Sequence, residues 1–182
     1  GWKGVLRGEG DSAFVRLGVA LPTGQTERNP FHLGDAGIRH QHIQFGNGTV
    51  DPLLRAGYSS TWGRWNLACE AGARVPLYEN RKRYQGPPEF DFSAGPHVRI
   101  SDRFGARLQY ALLYQDRASW DSATDENSGF SLQGVRLSAP IVLGRGVTLA
   151  PSGMYVYDVS SRGGGDTFEM DWLFGLGLSK DL

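Results

Sequence analysis

Much of what usually announces a function is missing from this sequence. There is one cysteine in 182 residues, so no internal disulfide can form. Cys69 sits on the apolar side of an alternating stretch and is expected to be a buried, inert thiol. Neither sign of charge is in excess: Lys+Arg and Asp+Glu each count 19. Without a global field, a nucleic-acid partner is not expected. No apolar run approaches the roughly 20 residues of a spanning helix, which excludes a helical membrane protein. No basic segment followed by an apolar stretch opens the chain, so no signal peptide is read in it. A terminal aromatic residue, usual in bacterial outer-membrane barrels, is also missing, because the sequence closes Lys180-Asp181-Leu182. An exported barrel with these features would be a processed or shortened form.

What is present is alternation. From Phe90 to Ile100 the apolar set Phe90, Phe92, Ala94, Pro96, Val98 and Ile100 opposes Asp91, Ser93, Gly95, His97 and Arg99. After a turn at Ser101-Asp102-Arg103-Phe104 the pattern repeats, with Ala106, Leu108, Tyr110, Leu112 and Tyr114 opposing Arg107, Gln109, Ala111, Leu113 and Gln115. This is the two-residue period of a half-buried strand. The same period marks Ala13 to Leu21, Val50 to Ser60, Trp65 to Val75, Val147 to Tyr157 and Phe168 to Leu178. Between Gly129 and Val142 the apolar parity switches, from Phe130 and Leu132 to Val135, Leu137 and Ile141, and a bulge near Gly134 is expected to restore one apolar face. Residues 1–12 are poorly patterned, although Trp2, Gly4 and Leu6 suggest the end of a strand.

About eight strands follow, with no segment of convincing helical period. Long connections after Leu21, Val75, Gln115 and Asp158 alternate with short turns at Thr61, Ser101 and Gly144. In an antiparallel meander this puts all long loops at one rim and all short turns at the other. The expected fold is one all-β domain over residues 1–182, an antiparallel up-and-down transmembrane β-barrel that is complete or part of a larger one. Both chain ends are expected on the short-turn, periplasmic side. A mean hydropathy of -0.36 fits, since the interior and loops of such a barrel are polar.

Soluble barrels share the meander but turn their larger apolar residues inward. Here the polar face decides. It collects Arg16, Glu70, Arg74, Asp91, His97, Arg99, Arg107, Glu169 and Asp171 among many small residues. A solvated exterior would be dominated by Lys and Glu; Arg and carboxylate among Gly, Ala and Ser better fit a crowded lumen whose charges pair. Tyr58, Trp65, Phe90, Tyr114, Tyr157 and Phe168 stand near strand ends on the apolar side, as in lipid-interface girdles. Pro96 and Pro151 fit least well, because a proline inside a strand removes a ladder hydrogen bond.

LGVALPTG, HQHIQFGNGTVDPLL, WGRW, VPLYEN, SDRFG, LLYQDR and DWLFGLGLS, in that order from about residue 13 to 179, resemble a family of transporter-like outer-membrane β-barrel proteins of Gram-negative bacteria, related to the phenol-degradation meta-pathway barrels. The resemblance implies outer-membrane location and barrel architecture more than any substrate. Family members tend to carry further N-terminal strands, which implies that this chain lacks the first part of its barrel.

Three sets of residues offer chemistry. His32, Asp35, His40 and His42 lie in the first long loop, and His40 and His42 project to one side of an extended segment, a candidate Cu, Ni or Zn site. The simpler reading is loop histidines that hydrogen-bond their own backbone. Asp91, Ser93 and His97 share one strand face, but same-face residues stand roughly 7 Å or farther apart, so a hydrolase triad is not expected there. Arg81-Lys82-Arg83 reads as a solvated loop, with anionic lipopolysaccharide as its functional partner. Two functions remain in view: a barrel that admits small molecules, and a non-transporting binding barrel whose histidine loop takes a metal or partner. Neither is an enzyme, and no other cofactor is expected.

Overall fold

The structure, a computed structural model, describes residues 1–24, 26, 46–126, 128–162 and 170–180. Thirteen strands are formed: β1 Trp2–Arg7, β2 Asp11–Ala20, β3 Asp51–Trp62, β4 Trp65–Arg74, β5 Tyr84–Gln85, β6 Glu89–Arg99, β7 Gly105–Gln115, β8 Ser119–Trp120, β9 Ala123–Thr124, β10 Phe130–Ser138, β11 Ile141–Gly144, β12 Val147–Ser161 and β13 Trp172–Lys180. Ten of them make one sheet, in which every pairing is antiparallel. β10 and β11 lie end to end along the same edge of β12, so the ten strands fill nine positions. No ladder joins β1 to β13 among the described residues, and the sheet has two edges.

The turns are the ones the sequence marks. Gly63, with φ 59°, opens the β3–β4 hairpin and puts Trp62 opposite Trp65. Gly144, Arg145 and Gly146 all take positive φ between β11 and β12, a conformation that costs glycine little. In the β6–β7 turn the Ser101 hydroxyl accepts from the Arg103 and Phe104 amides. All four short turns lie at one rim of the sheet, and the strand ends that the long connections join lie at the other.

Four expectations need correction. The strand suggested by Trp2, Gly4 and Leu6 is formed as β1 and paired with β2, so the sheet has nine positions where about eight strands were expected. β1 therefore starts from the long-loop side while β13 ends on the short-turn side, so Trp2 and Lys180 are not at one rim. The bulge exists, but its extra residue belongs to β12: Gln133 faces Asp158 and Gly134 faces Val156, which leaves Tyr157 unopposed. β10 keeps one continuous register with β7, so Phe130 and Leu132 stay on the face of Gly134 and Arg136. There Leu132, Met154 and Val156 form a small buried cluster with Ala111, Leu113, Phe130, Val159 and Met170 against it. Finally, Cys69 is exposed, because none of the described residues covers its face.

That exposure is general. Leu17, Leu54, Leu67, Phe90, Leu108, Leu137 and Tyr155 all stand open on the apolar face, and Phe174 and Leu178 of β13 are 83% and 72% exposed. The opposite face is concave and polar. A cavity of about 270 Å³ on it is lined from β2 through β7 and makes that side concave there.

The prolines sit where the ladder is already broken. β6 and β7 lose their pairing at Gly95 and Pro96 and resume at His97 in the same register. Pro151 faces the break between β10 and β11, where its carbonyl accepts from the Ala139 amide.

Candidate functional site

The register brings charged residues from separate strands to one face, because alternate residues of paired strands share a side. Arg55 of β3 lies opposite Gly72 of β4, and Gly72 lies opposite Asp91 of β6. The Arg55 guanidinium crosses β4 over the glycine and forks between two carboxylates, 2.6 Å from Glu70 and 2.8 Å from Asp91. A β-carbon at Gly72 would stand 2.9 Å from that guanidinium and would run into the Asp91 carboxylate. The small residue is the passage through which the pair forms.

A second cluster lies at the long-loop rim. Asp51 is fully buried and accepts from Arg74 at 2.7 and 3.0 Å, from the Thr49 hydroxyl and from the Asn47 amide. Arg74 also lies 3.8 Å from Glu89, which accepts from Gln115. This polar chain ties together the rim ends of β3, β4, β6 and β7. A buried carboxylate is tolerable only because its oxygens are satisfied by a cation and by donors at once.

Two of the long connections, β4 to β6 and β7 to β10, fold into a cap at this rim. β5, β8 and β9 form their own antiparallel sheet, with Tyr84, Ala118 and Trp120 buried between them and the Tyr84 and Trp120 rings 4.6 Å apart. Asn80 is the staple beneath: its amide donates to the Asn47 carbonyl, and its side-chain oxygen accepts from the Lys82 and Tyr84 amides. Burial, helped by the nearby Asp125 and Glu89 carboxylates, pushes the Tyr84 phenol up to about 12. Of the basic stretch, Arg83 pairs with Asp121 and Lys82 donates to the Thr26 carbonyl. Two of its three cations thus have partners, while Arg81 and Arg83 stay exposed, as a solvated loop requires.

The charged residues marked in the sequence divide as follows. Glu70, Asp91 and Arg74 are paired. Arg16 instead lies over the Phe14 ring, with Lys3 beside it, at 5.8 and 5.2 Å from the centroid. Arg99 and Arg107 have no carboxylate within ion-pair distance among the described residues, and His97 lies opposite Arg107. Asp171 precedes β13, where its carbonyl accepts from the Val156 amide. Glu169, Phe168, His32, Asp35, His40 and His42 lie outside the described residues. Among the described residues no cluster of His, Cys, Asp and Glu is arranged to hold a metal. No hydrogen bond joins Ser93 to His97 or Asp91, and Asp91 is taken by Arg55.

Sequence reasoning missed both hubs, Arg55 and Asp51. Arg55 alternates with Leu54 and Ala56 and was legible by parity. The Thr49-x-Asp51 contact depends on a loop conformation that no period encodes. No protein-family model matches the chain, and no curated protein matches it.

Proposed function

We propose that this chain is a β-barrel domain of a bacterial outer membrane, with its apolar face toward lipid and its concave polar face toward an aqueous lumen that admits small molecules. The exposed apolar face carries the reading. Leaving a Leu or Phe in water in place of burying it costs about 1.5–3 kcal/mol, and here a whole sheet face is so placed. A monomeric soluble protein rarely shows an apolar patch beyond roughly 300–600 Å². In lipid the cost vanishes.

Three further features support it. β3, β4, β6 and β7 are 12, 10, 11 and 11 residues long, close to the roughly 9–11 residues of a tilted transmembrane strand. Aromatic side chains gather toward both ends of the apolar face, Trp62 and Trp65 by the short turns and Phe90 and Tyr114 by the long loops, as at lipid interfaces. Asymmetry of loop length supports a cap on the outer side. The resemblance to transporter-like barrels agrees with this placement. Membrane lipid and lipopolysaccharide are then the partners of the outer surface.

The test separates location from transport. Expressed with an export signal, the protein should fractionate with outer membranes and resist urea extraction; recovery in the soluble periplasm would overturn the membrane assignment. Reconstituted in planar bilayers, it should show discrete conductance steps, and silence at every voltage would overturn the pore.

A further inference from the structure

The concave face sorts its charges unevenly. Its strand carboxylates Asp51, Glu70, Glu89 and Asp91 all lie within 4 Å of Arg55 or Arg74. These two arginines absorb the negative charge. Arg7, Arg99, Arg107 and Arg136 have no carboxylate within ion-pair distance among the described residues, and the nearest recorded partner of Arg136 is the Met154 sulfur. A chain with no net charge thus presents a face on which the uncommitted charge is positive.

The cavity lies in this field. Its floor follows one register row: Ser12 opposes Ser59, Ser59 opposes Ala68, and the row continues past Gly95 to Gln109. Arg7 stands opposite Ser12 at one end of the row and Arg136 opposite Gln109 at the other. Arg107 and Gln109 line the cavity directly, together with Ser93 and Asn66. The Ser12 and Ser59 hydroxyls are 3.0 Å apart, so one proton is free to turn inward. The one acid in the lining, Glu70, is held by Arg55. Small residues make the room, and hydroxyl, amide and guanidinium groups supply donors around it.

We propose that this cavity binds a small oxyanion, a carboxylate or phosphate group, with Arg107 as its counter-charge and Gln109, Ser12 and Ser59 as neutral donors. The inference rests on the concave face being an aqueous lumen. A planar guanidinium matches both oxyanions in a two-point contact, and a volume of about 270 Å³ suits a small acid, not a polymer.

Titration calorimetry on the full chain folded in detergent, with inorganic phosphate and with succinate as separate probes, tests it. Saturable binding of at least one is expected, weakened about tenfold in Arg107→Gln and by less in Arg107→Lys, which keeps the charge but loses the two-point contact. Phosphate alone or succinate alone names the source of the oxyanion. Arg107 is exposed, so neither variant should disturb folding, and the heat-dependent shift in gel mobility checks that they fold. Absence of saturable binding by both probes, or Arg107→Gln binding like the parent, overturns the site. Bilayer silence with retained binding overturns only the pore, whereas conductance without binding overturns only this site.

Discussion

Gly72 shows how a residue with no side chain directs the chemistry of its neighbours. The guanidinium of Arg55 reaches Asp91 only because β4 is bare at that point. Gly72→Val should push the Asp91 carboxylate off Arg55 while leaving the strand paired, since both groups are flexible side-chain ends. The half-exposed pair is worth at most about 1 kcal/mol, so chemical denaturation should shift little. Arg74 differs. Its removal leaves Asp51 buried without a cation, and Arg74→Ala should cost on the order of 3 kcal/mol. Equal denaturation midpoints for the two variants would contradict this ranking. Cys69 reports on the other face: in vesicles a lipid-soluble maleimide should label it and a charged one should not, whereas both should label the denatured chain. Equal labelling by both in vesicles would place that face in water. The parity of Arg55 and Cys69 was readable from alternation. Whether each is buried was not, because burial depends on what covers a face.

At the level of the strand, period two was legible almost throughout, and the places where it failed are irregular. β6 has Gly95 and Pro96 side by side at the break in its ladder to β7. A β-carbon at Gly95 would run into the Leu108 carbonyl oxygen, so the two backbones pass unusually close there. Backbone cannot yield as a side-chain tip can. Gly95→Ala should therefore destabilise the protein more than Gly72→Ala, which displaces only flexible ends, and melting or denaturant midpoints of the two variants read the difference. The parity switch across Phe130–Ile141 shows the limit of pattern reading. The sequence signals an irregularity but not which strand carries the extra residue. β12 holds it at Tyr157, which lets Leu132 and Val156 meet on the inner side as a local core. The β5–β8–β9 sheet of the cap had no signal, since two-residue strands are too short for any period to show.

For the whole molecule, the cap is held together much as a soluble domain is, by buried aromatics and satisfied polar groups. Its pH response follows from Tyr84. The phenol loses its proton near 10.0 when free and near 12 when folded, so the unfolded chain ionises first. Cap stability should be level with respect to this group below about pH 10 and fall as pH rises toward 12. Near-ultraviolet circular dichroism of the Tyr84–Trp120 pair should fade in that window, and Tyr84→Phe should remove the dependence; a parent signal that stays flat to pH 12 would contradict the burial. The meander, the alternation of loops and the two contrasting faces were legible from sequence because each repeats along the chain. The hubs and the cap were not, since each is assembled once from distant segments.

The strand count carries a consequence for how the sheet can close. Nine positions joined by successive reversals leave β1 and β13 pointing the same way. Rolled up on itself, the sheet would meet in a parallel seam, with slanted hydrogen bonds along one line of an otherwise antiparallel wall. A ring with no such seam needs an even number of strands, and therefore an odd number beyond these nine. The orientation of the hydrogen bonds at the β1 edge thus distinguishes a self-closed wall from one completed by further strands. Cross-linking of cysteine pairs placed on β1 and β13 would read that choice directly.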